Sequence, residues 1–339
     1  MKVLADRHHH ALFYSLQLLF EDRLGGVLYT PIGLDWWTEG FWRFGEGYGD
    51  DRLAQQFLNI GPEWELSMFG DLYAGQDNHH PGRVIHGVTL EQARQIKWDY
   101  VVATVQDNQR GFRRFADESG ARYVLQAGNT NQFIDWSLDP LVIATNEMPI
   151  RGRGVRVHQE IDRETFAYRP PTDAKVIRSF VNCFDSTPCV ERFWEARHRL
   201  PEFTFGNHGI DGPEGNIETV AEIAELLAGS AFGWHDKVQG DGFGHIIHDW
   251  AAIGRPLIGH GAHYRGLMAE NLWQDLVTCI DLDRHTLEEA AILVREIMAD
   301  PAKHEAMCKA IRAEFDQIDY DAEAEQIRAL LTEPAAVAA

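Results

Sequence analysis

Two carboxylates stand eight positions apart within residues 238–261, VQGDGFGHIIHDWAAIGRPLIGHG. Asp241 precedes Gly242-Phe243-Gly244, and Asp249 falls in the run that follows. A carboxylate accepts two hydroxyl hydrogen bonds at once, and vicinal hydroxyls are what sugars and riboses offer. Gly242 and Gly244 let backbone N–H groups come close to a ligand. A helix starting near His245 would point the positive end of its dipole at the same spot, which favours phosphate. Asp249 would lie one turn into that helix, on a face that returns to the pocket. The spacing therefore suits a sugar joined to a nucleotide diphosphate. One carboxylate would serve the hexose, the glycines the diphosphate, and the other carboxylate the ribose.

Other residues could do chemistry. In residues 5–12, ADRHHHAL, three histidines follow the first apolar segment. His8, His9 or His10 could handle a proton or bind a hydroxyl, and His10 is carried as the candidate. Three adjacent histidines cannot all aim at one ion, so no metal centre is expected there. His245, His248, His260 and His263 crowd the region of the two aspartates. His245 and His248 share a helix face, yet no carboxylate completes a zinc motif, and no metal is expected there either. The aromatic stretch 36–48 holds Trp36, Trp37, Phe41, Trp42, Phe44 and Tyr48. It could stack on a sugar or base, but packing as a satellite core is the favoured reading. The basic clusters QRGFRR (109–114) and RGRGVR (151–156) could meet phosphates of a donor or of an anionic acceptor such as nucleic acid.

These side chains need a scaffold. Short apolar runs alternate with amphipathic segments along the chain, which predicts parallel α/β architecture. KVLA, GVLYTP, RVIHGV, DYVVATV, ARYVLQAG and DPLVIATN read as strands of a first Rossmann-like domain, residues 1–160. IDRETFAYRPPTD (161–173) reads as a linker, because Pro170-Pro171 stops regular structure. KVIRSFVNCF, EFTFGNHG, AFGWH, PLIGH and LVTCID read as strands of a second domain, 174–310. Asn216 is the expected cap of the helix before AFGWH. A C-terminal helix and tail, 311–339, is expected to return to the first domain. The fold class is thus two tandem Rossmann-like domains facing across a cleft, with ligands at the carboxyl ends of the strands.

Composition bounds the function. The 339 residues carry a formal charge of −21, with 45% apolar and 24% charged residues. That argues against a general binder of nucleic acid or anionic membrane. The charge is uneven, however. Residues 81–200 hold 17 Arg/Lys against 15 Asp/Glu, whereas residues 201–339 hold 9 against 25. A middle segment that meets an anion, while the rest repels it, fits that pattern. No apolar run is long enough to span a membrane. The opening MKVLADRHHHALF lacks a signal-peptide pattern. Cys183, Cys189, Cys279 and Cys308 form no Cys-x-x-Cys pair. The expectation is a cytoplasmic protein with reduced thiols, in the host cytoplasm if phage-encoded.

The frame Asp241, Gly242-Phe243-Gly244, Asp249, Ala252-Ile253-Gly254-Arg255-Pro256-Leu257 resembles that of retaining glycosyltransferases with the GT-B fold. This group includes sucrose synthase-like and bacterial mannosyltransferase-like enzymes. Those carry Glu, Gly-Phe-Gly, a second Glu eight positions on, and Ala-x-Gly-x-Pro-hydrophobic. Ile161-Asp162-Arg163-Glu164-Thr165-Phe166 followed by prolines is similar to their inter-domain signature. The resemblance spans about 155–285 and is architectural over 1–154. This chain departs in having Asp at both acidic positions. It also offers Arg178 with no lysine after it, where the family has an Arg…Lys pair for the diphosphate.

The resemblance implies a donor site, residue by residue. Asp241 would contact the transferred sugar, Gly242, Phe243 and Gly244 would give backbone to sugar and phosphate, and Asp249 would bind ribose. His208 and Gly209, in the loop GNHGIDG (206–212), would lie near the base. Arg178 and Lys237 would stabilise the departing diphosphate. It further implies a metal-independent, retaining transfer from a nucleotide-diphosphate sugar, with a UDP-sugar as first expectation, no cofactor required, and no protein nucleophile named. The acceptor and the oligomeric state are left open. Phage-type transfer to hydroxymethylated DNA, a sugar-nucleotide epimerase of the same fold and a non-catalytic nucleotide-sugar or nucleic-acid binder are the alternatives.

Overall fold

The computed structural model describes residues 1–7, 10–33, 35–41, 73–76, 80, 82–104, 106–128, 133–181, 189–209, 212–217, 219–237 and 242–333. The chain forms two compact units, residues 1–160 with 320–339, and residues 161–319.

The first unit is built on β1 (Lys2–Ala5), β2 (Val27–Pro31), β3 (Tyr73–Gln76), β4 (Val84–Val88), β5 (Tyr100–Ala103), β6 (Arg122–Ala127), β7 (Leu141–Ala144) and β8 (Gly154–Arg156). Their order is β3-β4-β2-β1-β5-β6-β7-β8, with β3 antiparallel to β4 and the other pairings parallel. Val3, Leu4, Val101, Val102, Val124, Leu125, Val142 and Ile143 are buried. A parallel sheet covered on both faces requires such unbroken apolar runs, and those runs made the strands readable. Trp36, Phe41, Phe112 and Phe115 pack in one of the two hydrophobic clusters that share this sheet. The other holds Phe13 and Phe20 with Ala324, Ile327, Leu330 and Leu331 of the helix Tyr320–Thr332. That helix is fastened by Glu323, which accepts from the His158 backbone N–H at 3.0 Å and contacts its Nδ1 at 2.6 Å.

Two strands were not anticipated. One is β3. The other is β8, which lies in RGRGVR and pairs with β7 in parallel. Its Arg156 donates to the carbonyls of Asn146 and Met148.

The second unit is a five-stranded parallel sheet: β9 (Val176–Ser179), β10 (Thr204–Asn207), β11 (Phe232–His235), β12 (Leu257–Gly259) and β13 (Cys279–Asp281), in the order β10-β9-β11-β12-β13. The order reverses between β9 and β11, so the crevice at their carboxyl ends is the topological switch point. The helix Val220–Ala228 is capped by a Thr219–Glu222 capping box, not by Asn216. A capping box satisfies two end N–H groups reciprocally, which a lone Asn three residues earlier cannot do.

The helix His245–Ile253 lies hard against β11. A Cβ at Gly233 would stand 2.6 Å from the Trp250 indole, so only glycine allows this approach. Trp250 is fully buried, contributing about 4–6 kcal/mol of transfer free energy. This packing fixes the rotation of the helix and hence the direction of Asp249.

Arg255, in the Gly-Arg-Pro segment, is 0% exposed. It donates to the carbonyls of Ala228 at the end of one helix and Ser230 just past it, of Gly254 past another, and of Arg169 and Pro170 in the 161–173 segment. Five N–H groups on a rigid fork can satisfy several carbonyls that helix ends leave over. This one side chain therefore ties the 161–173 segment to the sheet's amino edge.

Candidate nucleotide-sugar site

The carboxyl ends of β9, β10 and β11 bring together Ser179-Phe180, Asn207-His208 and Asp236-Lys237. The turn into the helix His245–Ile253 reaches the same edge. Gly244 is its N-cap, with φ 76° and ψ 53°, a left-handed backbone where a side chain would be strained. A Cβ there would also stand 3.1 Å from Ile247 Cδ1. The Gly244 carbonyl accepts from the His248 N–H at 3.2 Å and lies 2.9 Å from its Nδ1. The His248 ring in turn stacks on Phe243, with centroids 4.1 Å apart and planes 7° apart. His248 is thus occupied in shaping the glycine turn. His245 lies on the next face, with Nε2 3.7 Å from Asp249 Oδ1, outside hydrogen-bond reach. Among the described residues no group of three or more His, Cys, Asp or Glu side chains is gathered as a metal site.

Asp249 is 5% exposed, and its Oδ1 has no hydrogen-bond partner among the described residues. Burial pushes its carboxyl well above the usual carboxylate range. Around the same crevice, Ser179 Oγ, Asn207 Oδ1 and His208 Nδ1 are also buried without a hydrogen-bond partner among the described residues. Buried polar atoms are nearly always paired in folded proteins, and although such exceptions occur in both units, these share one strand edge. A ligand that brings hydroxyl and amide donors would satisfy them. The His208 ring lies against Phe180, 5.2 Å between centroids and 27° between planes. Burial lowers its pKa, which favours the neutral imidazole. Its backbone N–H donates to the Ser179 carbonyl at 2.9 Å, and the Gly209 N–H donates to Gly215 O at 3.0 Å. Gly209 has φ 125°, again a backbone that favours glycine.

Gly242, Phe243, Gly244, Asp249, His208 and Gly209 thus belong to one edge of one sheet. Lys237, half-buried, follows β11 on the same edge. Asp241 lies outside the described residues, as do His8 and His9. His10 begins the helix His10–Gln17 after β1 in the other unit, and its side chain is likewise outside the description.

Arg178 has partners within the unit. Its guanidinium donates to the Leu226 carbonyl at 3.1 Å and to Ser230 Oγ at 2.9 Å. Both lie at the end of the helix Val220–Ala228 or just beyond it, at the amino edge of the sheet. A cation there complements the negative helix end.

The structure also adds residues the pattern did not single out. Ser179 carries no motif, and Asn207 was marked only as one position of the loop GNHGIDG (206–212). Asp236, 2% exposed, is held by Arg192, and 44 residues separate the two. Only the adjacency of a strand end and a distant helix makes that pair visible.

No protein-family model matches the chain, and no curated protein matches it in sequence. Solved structures do resemble it. The Anabaena protein HepE in complex with UDP is 13% identical, with a TM-score of 0.62, covering 98% of this chain and 99% of that one. The sucrose-phosphate synthase of Thermosynechococcus elongatus is 11% identical, with a TM-score of 0.62 and 97% of each chain covered. An alpha-glucosyltransferase in complex with UDP and a 13-mer DNA with a central A:G mismatch is 10% identical, with a TM-score of 0.64, covering 97% and 98%. These structural neighbours are GT-B glycosyltransferases. With its two Rossmann-like α/β units, this chain has the GT-B fold.

Proposed function

We propose that the protein is a glycosyltransferase that moves a sugar from a UDP-sugar to an acceptor. We further propose that it acts with retention, without a metal ion, in the cytoplasm. The observation that carries this reading is the buried carboxyl of Asp249, whose Oδ1 has no hydrogen-bond partner among the described residues, beside a glycine-framed helix start at a switch point. Ribose hydroxyls would donate to Asp249 and favour its ionised form, because hydrogen bonds to the charged form lower a raised pKa. Ser179, Asn207 and His208 supply acceptors and a ring near the base. The helix start and Lys237 would hold the diphosphate and stabilise charge as it leaves. Asp241 would hold the transferred sugar. His10 is proposed to handle a proton or bind a hydroxyl on the acceptor side. The solved structures with UDP support UDP as the nucleotide.

The test is UDP release from a panel of UDP-sugars, with GDP- and ADP-sugars alongside, together with melting shifts for each nucleotide. Stabilisation by one nucleotide series and release of that nucleotide are expected. Conversion of the donor sugar with no acceptor present would instead identify an epimerase. Binding without any turnover, even slow hydrolysis, would identify a binding protein.

A second reading concerns the acceptor. One similar structure is a DNA complex, and Arg110 extends from this chain's basic helix Gln109–Ser119 with its side chain 83% exposed. Hydroxymethylated DNA belongs in the acceptor panel for that reason. Against it, Arg110, Arg113 and Arg114 already pair with Asp135, Asp117 and Glu118.

A further inference from the structure

Beside the proposed donor site, the strand ends carry a cluster of charged groups to which the proposed reaction assigns no role. Asp236 is the first residue after β11. Its two oxygens accept from Arg192 Nε and Nη2, each at 2.6 Å, and Arg192 stands in the first turn of the helix Val190–Arg199. His260 is the first residue after β12. Its Nδ1 meets Asp283 Oδ1 at 2.7 Å, and Asp283 Oδ2 accepts the Ala262 N–H at 2.7 Å. Asp283 in turn donates its backbone N–H to Asp281 Oδ1 at 3.0 Å, and that oxygen also accepts the Gly261 N–H at 3.1 Å. His260 Nε2 stands 3.7 Å from Asp236 Oδ1. Arg192, Asp236, His260 and Asp283 therefore form a line across the ends of β11, β12 and β13.

Such a line is a poor device for stability alone. The Asp236 side chain is buried while that of Arg192 is 39% exposed, so the cost of taking the carboxylate from water largely offsets an attraction that solvent already screens. What a bidentate pair does well is fix orientation, because two parallel hydrogen bonds leave a carboxylate no freedom to turn. The backbone so fixed is that of Asp236, and the next residue is Lys237.

We propose that Asp236 is a positioning residue. Clamped by Arg192 and backed by the His260–Asp283 pair, it holds the chain after β11 so that Lys237 is directed to the diphosphate as it departs. This inference rests on the glycosyltransferase reading. It predicts a specific division of effects. Ground-state nucleotide binding depends on Asp249 and the helix start, whereas the alignment of Lys237 matters most when charge develops. Loss of the clamp should lower turnover far more than it weakens UDP binding.

The experiment compares Asp236→Asn, Arg192→Lys and His260→Gln in the full chain. UDP affinity is measured by calorimetry, turnover as UDP release from the accepted UDP-sugar, and folding by melting temperature. Asp236→Asn is expected to lose at least tenfold in kcat with UDP affinity within threefold of wild type. Arg192→Lys keeps the charge but not the two-point grip, so it should lose nearly as much. His260→Gln should lose about threefold. Wild-type turnover in Asp236→Asn and Arg192→Lys would overturn the proposal. So would equal losses of turnover and UDP affinity, which mark a general structural role. Should Asp236→Asn fail to fold, Arg192→Lys carries the test with the aspartate in place. A wild-type protein that neither binds UDP nor turns over any donor would overturn the parent reading, and this inference with it.

Discussion

Asp6 and Asp249 are both buried aspartates at the switch points of their sheets, and they have opposite surroundings. Asp6 follows β1, where the first sheet reverses its order against β5. Its Oδ1 accepts the Thr104 N–H and its Oδ2 accepts Asn108 Nδ2, each at 2.7 Å. Thr104 directly follows β5, so this carboxylate stitches the two central strands together. Asp249 stands beside the corresponding crevice of the second sheet, and its Oδ1 has no hydrogen-bond partner among the described residues. A buried carboxylate whose oxygens meet protein donors is part of the fold. One without them costs stability unless a ligand brings the donors. The difference separates a structural switch point from a binding one more sharply than residue type does.

That contrast can be broken at several strengths. The largest effect is expected from Asp6→Ala, which leaves two buried donors unpaired and should cost about 4 kcal/mol in urea unfolding. Nucleotide affinity of the folded fraction should not change, and unaltered stability would remove the structural half of the contrast. Asp249→Ala should next weaken UDP binding about 100-fold, or ~2.7 kcal/mol, by calorimetry. An affinity within threefold of wild type would remove the other half.

Arg178→Met should lose about 2 kcal/mol of stability with the helix-end hydrogen bonds, and leave UDP affinity intact. A tenfold affinity loss would return Arg178 to the diphosphate.

The smallest effect, and the most specific, is a pH-dependent gain. Burial raises the Asp249 pKa in the folded state, so its stabilising contribution is complete below the unfolded value near 3.8. That contribution is lost as pH rises through the folded value, because the unfolded chain ionises first. Asp249→Asn removes this loss. It should stabilise the ligand-free protein by about 1 kcal/mol at pH 7.5 and by almost nothing at pH 4, as read from paired melting curves. Equal curves at both pH values would mean that the carboxyl is not held protonated.

Much of this molecule could be read from its residues alone. Apart from β8, the parallel strands of both sheets announced themselves as apolar runs, because a sheet covered on both faces tolerates little else. The glycine turn and Asp249 were legible because a helix start and its first turn involve residues a few positions apart. Tertiary structure decided the rest. Arg178, read as a diphosphate cation, is a helix-end partner because β9 lies beside β11 and the Ser230 turn that precedes it. Arg255, of a type seldom fully buried, sits at the meeting point of two helix ends and the 161–173 segment. Asp236 gained its role only from Arg192, 44 residues away in the chain. Local pattern is set by neighbours in sequence, so the chain itself determined most of the strands and the glycine turn. Whether a buried charge is satisfied depends on which distant elements become adjacent. That is why only the folded sheet separates the aspartate that holds the fold from the aspartate proposed to hold a ligand.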